Sequence, residues 1–496
     1  MFSGVSIVNT DKITRKAIET LANVVISCMP KKYFTTLEKA NKYMLSGDSV
    51  FSSDKGEFFT CGFAKADLTP EDVNEKTYYI AGYGSNNPAK SVLDHMYARA
   101  FFIDDNTGRG GAVICAVDAV GLSRRDINDI RKIVLESGKT ENLKSISVCA
   151  THTHSAIDTQ GLWGEKIFKS GRNEEYMKFF KEKTAEAIIN AYKNRKDGKL
   201  FYSVYKTEDM HCDYRLPDAY DENLTKIRFE SFDGSENIQV INFACHAELL
   251  GSKSDSISAD FPCYMIKEIE ENNENTSALY INGAIGGMIS AKEIRKVYRH
   301  EFDCVAYTQE YGKSLGQLAN SMTNEEELTP LLNIKSVPVK IKADNFVLIF
   351  ARLMNVINND CLRSNKRKEA YVATELGYLE LGSKQIGAFL IPGELFPELW
   401  NGQFLSAEES ATGKKAEYNI LSPMTDCKHN FVVGLCNDEL GYIIPDNDFI
   451  VNEKTPYIDA AKDRFDRRHY EETNSTGPQT ARTILDETYN LIKSVK

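Results

Sequence analysis

At 496 residues, 42% hydrophobic and 26% charged, the chain can bury a large core and has room for about three domain-sized units. Its net charge of −11 argues against nucleic acid as a partner and against anchoring to an anionic membrane by bulk charge. No apolar run approaches the ~20 residues of a membrane-spanning helix, and Met1-Phe2-Ser3-Gly4-Val5 lacks the basic and apolar regions of a secretory signal. The eleven cysteines are odd in number, scattered and without a C-x-x-C pair. That pattern points to reduced thiols in a cytoplasmic protein, not to a disulfide framework or a cysteine zinc site.

In chain order, residues 11–46 are predicted to be helical, with Lys-rich polar faces. From Phe58 the texture turns to strands. Residues 98–103 and 111–117 read as neighbouring strands across the turn Asp105-Asn106-Thr107-Gly108. A helix is predicted around 124–137, followed by the β-leaning run Ser145-Ile146-Ser147-Val148-Cys149. That run leads into Ala150-Thr151-His152-Thr153-His154-Ser155. In a strand, residues i and i+2 share a face, ~6.6 Å apart along the chain. His152 and His154 are therefore predicted to point the same way from a strand end. Two converging imidazoles suit a divalent zinc ion, a proton shuttle, or one of each. The plainer reading is one buried, hydrogen-bonded histidine beside an exposed one.

Further along, residues 174–195 show a period near 3.6 and are predicted to be a helix. Strand 239–245 ends at His246, then come helix 260–272 and strand 278–282. Residues 301–330 read as a helix fading into the acidic stretch Asn324-Glu325-Glu326-Glu327. The basic cluster from Arg363 to Lys368 reads as a solvated loop, with an anion-binding rim as the minority reading. A helix over 478–494 closes the chain. Alternating strands and helices imply an α/β layered core.

Several short motifs, in one order, resemble the neutral/alkaline non-lysosomal ceramidase family. They are Gly62 to Pro70 with Ala81-Gly82-Tyr83-Gly84, then His95 and Ala98-Arg99-Ala100-Phe101, Val117-Asp118, and Ala150 to Ser155. Asn242-Phe243-Ala244-Cys245-His246, Ser258-Ala259-Asp260, Ile391-Pro392-Gly393-Glu394, Gly434-Leu435-Cys436-Asn437 and Gly441-Tyr442-Ile443 follow. The resemblance covers roughly residues 58–480. It implies a large α/β catalytic domain over 58–496, preceded by an N-terminal helical extension, 1–57. It also implies that the chain stops about where the family's immunoglobulin-like domain would begin.

The resemblance implies a zinc shell of His152, His246, Glu394 and Tyr442, with His154 as an active-site group. Arg215, in Tyr214-Arg215-Leu216-Pro217, would hold the scissile carbonyl. Tyr457 is matched to a second family tyrosine that lies in an "RYE" context, and Asp118 and Asp260 would orient metal ligands. One departure stands out. Where the family has a Gly-rich loop carrying an Asp and a Ser, this chain has Asn282-Gly283-Ala284-Ile285-Gly286-Gly287-Met288-Ile289-Ser290. Gly287 takes the Asp position and Ile289 the Ser position, with Ser290 one place on. The expected function is a zinc-dependent amidohydrolase acting on a small-molecule or lipid-like acyl substrate. The alternatives are a zinc hydrolase of an ester, lactone or small polar amide, and a non-catalytic, metal-stabilised binding protein.

Overall fold

The structure, a computed structural model, describes residues 10–166, 169–364 and 369–496. It is mixed α/β, as the alternation of elements implies. The first sheet contains β1 Phe59–Asp67, β2 Tyr97–Asp104, β3 Gly111–Val117, β4 Leu143–Ala150, β5 Lys196–Lys206, β6 Asn223–Ser231, β7 Asn237–Phe243 and β8 Thr276–Asn282. Their order is β8-β7-β6-β5-β1-β2-β3-β4, with Glu326–Glu327 added beside β5. The pairs β3–β4 and β7–β8 are parallel and the others antiparallel. The second sheet contains β9 Leu332–Lys342, β10 Ala370–Leu381, β11 Ile386–Leu390 and β12 His429–Val433, in that order.

The longer helices are α1 Thr10–Cys28, α2 Arg124–Glu136, α3 Glu174–Lys193, α4 Phe261–Asn272, α5 Cys304–Ser321, α6 Phe346–Leu353 and α7 Thr480–Val495. Parallel neighbours need a crossover, and α2 and α4 supply it for the two parallel pairs. Side chains alternate across a strand, so β3 feeds two cores. Val113, Cys115 and Val117 pack with Ile127, Ile130 and Phe180 of α2 and α3. Ala112 and Ala116 turn the other way, toward Leu379, Ala388 and Val433 of the second sheet. The first sheet thus lies between a helical layer and the second sheet.

Its two edges, β4 and β8, come close to each other. Asn282, at the end of β8, donates its side-chain N–H to the Thr151 carbonyl at 3.2 Å. The remaining gap is filled by Gly434–Asn437, just past β12. Gly434 N–H donates to Asn282 O at 3.0 Å, and Leu435 O accepts from Ala150 N–H at 3.2 Å. Asn437 N–H donates to Val148 O at 2.8 Å, while its Oδ1 accepts from Val148 N–H at 3.0 Å. A side chain at Gly434 would strike the Gly283 carbonyl, so only glycine fits this approach.

A second tie joins the layers. Glu375 of β10 is fully buried and receives Arg131 Nη2 at 2.6 Å, Arg131 Nη1 at 2.9 Å and Arg124 Nε at 3.2 Å. Both arginines stand on α2.

Two expectations are corrected here, and a third falls largely outside the described residues. Residues 11–46 are not continuously helical: α1 stops at Cys28, ahead of Pro30, and only the short turns Lys31–Tyr33 and Leu37–Ala40 follow. The helix expected over 301–330 ends at Ser321, and Glu326–Glu327 leave it to pair with β5. Of the basic cluster, 365–368 lie outside the described residues, and Arg363 donates to the carbonyls of Ile26, Ser27 and Met29. Helix α1 packs Ala22 and Ile26 onto α6 and its surroundings.

Asn437 serves both backbone groups of Val148 from a buried, left-handed position (φ 65°) that suits asparagine. Replacing it by alanine leaves a buried N–H without a partner. Asn437→Ala should lower the unfolding free energy by about 1–3 kcal/mol in urea titrations. Unchanged stability would show that the edge closure does not depend on it.

Candidate active site

The strand that carries the two histidines ends at Ala150, so strand alternation does not aim them. His152 adopts a left-handed backbone (φ 64°) and donates its N–H to Ala119 O at 3.0 Å. His154 donates its own to Ala247 O at 2.8 Å. The two imidazoles nevertheless converge, with Nε2 atoms 3.2 Å apart. His246 reaches the same place from the end of β7. Its ring centroid lies 4.8 Å from that of His152 and 5.7 Å from that of His154. All three are buried.

Backbone carbonyls set the tautomers. His152 Nδ1 is 2.6 Å from Val120 O, and His246 Nδ1 is 2.9 Å from Ile289 O. A carbonyl only accepts, so each Nδ1 carries a proton and each Nε2 is the nitrogen that can give a lone pair to a cation. Glu394 Oε2 lies 3.1 Å from His246 Nε2 and 3.5 Å from His152 Nε2. Burial pushes the Glu394 carboxyl up, but the two imidazoles outweigh it and hold the group well below the usual carboxylate range. His154 is driven well below the usual imidazole range by burial and by the neighbouring His152 and His246.

Two imidazole nitrogens and a carboxylate make a donor set that fits a cation. Donor atoms of His152, His154 and His246 lie within 4.8 Å of one another. Two donors on one tetrahedral zinc stand about 3.4 Å apart, close to the 3.1 and 3.5 Å that separate Glu394 Oε2 from the Nε2 atoms of His246 and His152. The group can hold a metal ion.

Tyr442 belongs to the same neighbourhood. The two-residue strands Glu394–Leu395 and Tyr442–Ile443 pair in parallel, with Glu394 opposite Tyr442. The Tyr442 hydroxyl donates to Met288 Sδ at 3.1 Å. A cavity of about 760 Å³ opens over these residues. Its wall includes His152, His154, Glu394, Tyr442, Met288, Glu248 and Tyr470, and continues along α6 through Leu348, Ile349 and Arg352.

Residues 59–294 match the family described as neutral/alkaline non-lysosomal ceramidase, N-terminal. That stretch belongs to the neutral/alkaline ceramidase family. The fold agrees over a longer span. The crystal structure of neutral ceramidase from Pseudomonas aeruginosa superposes with a TM-score of 0.65 at 15% identity, covering 88% of this chain and 74% of that one. A structure described as ceramidase complexed with C2 gives 0.65 at 14% identity, covering 88% and 76%. Glu394 and Tyr442 lie beyond the stretch matched by the ceramidase family.

Two residues matched to ceramidase motifs in the sequence stand elsewhere. Arg215 is not on the cavity wall. Its Nη2 lies 2.6 Å from Asp448 Oδ2 and 3.2 Å from His469 Nδ1, and its Nη1 lies 3.1 Å from Glu471 Oε2, off the line of a hydrogen bond. Burial lowers the guanidinium pKa, but Glu471, Glu472 and Asp448 outweigh it and raise it well above normal. Arg215 thereby braces the segment that carries Tyr470. Tyr457 is buried against Phe346 and faces a separate, polar cavity of about 320 Å³ with Arg15, Glu19 and Asp344.

Tyr470 was missed by the sequence reading and does line the main cavity, its ring 6.3 Å from that of Tyr442. The signal was present: Arg468-His469-Tyr470-Glu471 is closer to an "RYE" context than the surroundings of Tyr457. Glu248 was missed too. Fully buried, it accepts from Tyr298 Oη at 2.9 Å and lies 3.8 Å from His154 Nδ1.

The Gly-rich loop presents Met288 to the cavity. Ile289 and Ser290 are fully buried, in a short strand paired with His211–Asp213, and neither is among the lining residues. Asp118 receives Thr151 Oγ1 at 3.2 Å, one residue from His152, and Asp260 caps α4.

Near Arg215, burial and the neighbouring Asp213 carboxyl push Glu398 up to about 8. Its folded pKa exceeds its unfolded one, so its contribution to stability is full below about 4.5 and is lost as pH rises through about 8. Glu398→Gln should therefore raise the melting midpoint at pH 9 by a few degrees and change it little at pH 5. An equal effect at both pH values would refute the assignment.

Proposed function

We propose that this protein is a zinc-dependent hydrolase that cleaves an amide in an N-acyl substrate. The observation that carries the reading is the buried group of His152, His154, His246 and Glu394 at the wall of a cavity large enough for a lipid-like ligand. His152, His246 and Glu394 would hold the ion, with Tyr442 completing the set. Zinc, when bound, would supply a Lewis acid that acidifies water and polarises a carbonyl.

The chain's own residues do the rest. Carbonyls of Val120 and Ile289 keep the two ligand imidazoles in one tautomer. His154 makes no such bond, and its Nδ1 has no hydrogen-bond partner, which frees it to move a proton. Burial holds the Tyr470 phenol well above its usual pKa, so it stays protonated and able to donate to a carbonyl oxygen. Tyr470 takes that role in place of Tyr457. Arg215 keeps only an indirect one, holding the segment that presents Tyr470.

An ester or lactone substrate is the second reading. Met288, next to Ile289 at the family's Ser position, faces the cavity with a thioether, and an apolar wall discriminates weakly against compounds lacking polar groups. Residues 58–496 are assigned to the catalytic domain and 1–57 to an extension. No described helix is long and apolar enough to cross a membrane. The eleven unpaired cysteines favour a reducing, cytoplasmic setting.

Purified protein should hold about one zinc per chain. His152→Ala and His246→Ala should each lose most of it, whereas His154→Ala should keep it and lose turnover of N-acyl amides. Metal loss in His154→Ala with retention in His152→Ala would reverse the roles. Full zinc loading with no turnover of amides, esters or lactones would leave a binding protein. Separately, Tyr470→Phe should lower kcat by about 10²-fold or more, and Tyr457→Phe far less. The opposite ranking would restore Tyr457 to the site.

A further inference from the structure

The lining of the main cavity is divided by charge. Of the three carboxyl groups among the described wall residues, Glu248 and Glu394 lie beside the histidines, at 3.8 Å from His154 and 3.1 Å from His246, and burial and Glu394 hold the third, Glu439, well above the usual carboxylate range. Another part of the wall is apolar, built by Leu348, Ile349, Ile357 and Val372. Arg352, at the end of α6, is the one Lys or Arg among the described lining residues.

Arg352 is half-buried yet has no described carboxylate within 4.0 Å. Its Nε donates to Asn359 O at 2.6 Å and its Nη1 to Asn355 Oδ1 at 3.2 Å. These bonds fix the plane of the fork and leave Nη2 without a partner among the described residues. Asp360 is nearby, but its Oδ1 lies 3.6 Å from Arg125 Nε. Burial and the neighbouring Arg125 work against the Arg352 charge and outweigh the support of Asp360. A guanidinium nevertheless stays ionised at any ordinary pH. A guanidinium fixed beside an apolar stretch of wall, with no carboxylate in contact among the described residues, is placed to meet an anion.

We propose that Arg352 receives an anionic group of the substrate, a carboxylate or a phosphate, carried at the far end of an apolar segment from the bond that is cut. This rests on the hydrolase reading of the site and narrows its substrate class. A planar guanidinium fork matches both anions through paired N–H bonds. The charge division also sets orientation. Arg352 attracts the anionic end, and with Glu394 given to the ion, Glu248 is the carboxylate beside the histidines that disfavours it there. The apolar stretch of wall accommodates the hydrocarbon. A neutral N-acyl amphiphile would leave Arg352 unpaired.

The test is calorimetric binding of octyl phosphate, octanoate and octanol to the full chain. Wild type should bind at least one of the two anions about tenfold more tightly than octanol. Arg352→Gln should bring that ratio to within about twofold, and Arg352→Lys should keep part of it, since a point charge remains. Octanol affinity serves as the check that the variant cavity is intact. His152→Ala should leave the anion preference in place, because the anion is assigned to Arg352 and not to the metal group. Preference for phosphate over octanoate would identify the anion as phosphate, and the reverse would identify a carboxylate. Equal binding of all three ligands by wild type would overturn the proposal. So would a preference that survives in Arg352→Gln and disappears in His152→Ala. An intact, Arg352-dependent preference without amide or ester turnover would instead count against the hydrolase reading alone.

Discussion

The structure depends on how the first sheet is closed. Its edge strands β4 and β8 carry the loops that supply His152 and the Gly-rich turn, and neither edge is complete by itself. The backbone of Gly434 and Leu435 satisfies one group on each edge, at 3.0 and 3.2 Å. Unpaired edge groups buried in a core are expensive. The second sheet therefore contributes more than a covering layer, because the segment leaving β12 is the seam of the first sheet. That segment runs on directly to Tyr442. Closing the seam and placing Tyr442 opposite Glu394 are one structural event.

Inside the seam the decisive force is electrostatic. Two imidazole nitrogens are held inward by carbonyls that cannot exchange roles, and a carboxylate stands against them. Such a group is uncomfortable when empty and well matched to a positive ion. The positive φ of His152 is tolerated for the same reason: the surrounding bonds to Ala119 and Val120 over-determine it.

Short motifs were the most legible part of the chain. The order Ala150–Ser155, His246, Glu394, Tyr442 identified residues that the fold does assemble, although the bond spacing of a strand was the wrong reason for two histidines to meet. Position could not be read where it depends on distant partners. Arg215 looks available in sequence. Its fate is decided by Asp448, His469 and Glu471, more than 200 residues away along the chain. Tyr457 and Tyr470 are both tyrosines in polar loops, and only packing under α1 separates them. Helix α6 was overlooked because eight mostly apolar residues give too short a window for a period. The helix expected over 301–330 failed at its end, since strand pairing with β5 is a tertiary contact that local composition does not encode.

The buried ion triad of Glu375 with Arg124 and Arg131 has a bearing on how divisible the chain is. The stretch matched by the ceramidase family stops at residue 294. Glu375 and the seam both lie beyond that point. A fragment ending at 294 would keep two arginines on α2 with no counter-charge and two sheet edges with no seam. The boundary of recognisable ancestry is therefore not a boundary of folding, and the smallest autonomous unit that contains the histidines must also contain β10, β12 and the turn to Tyr442.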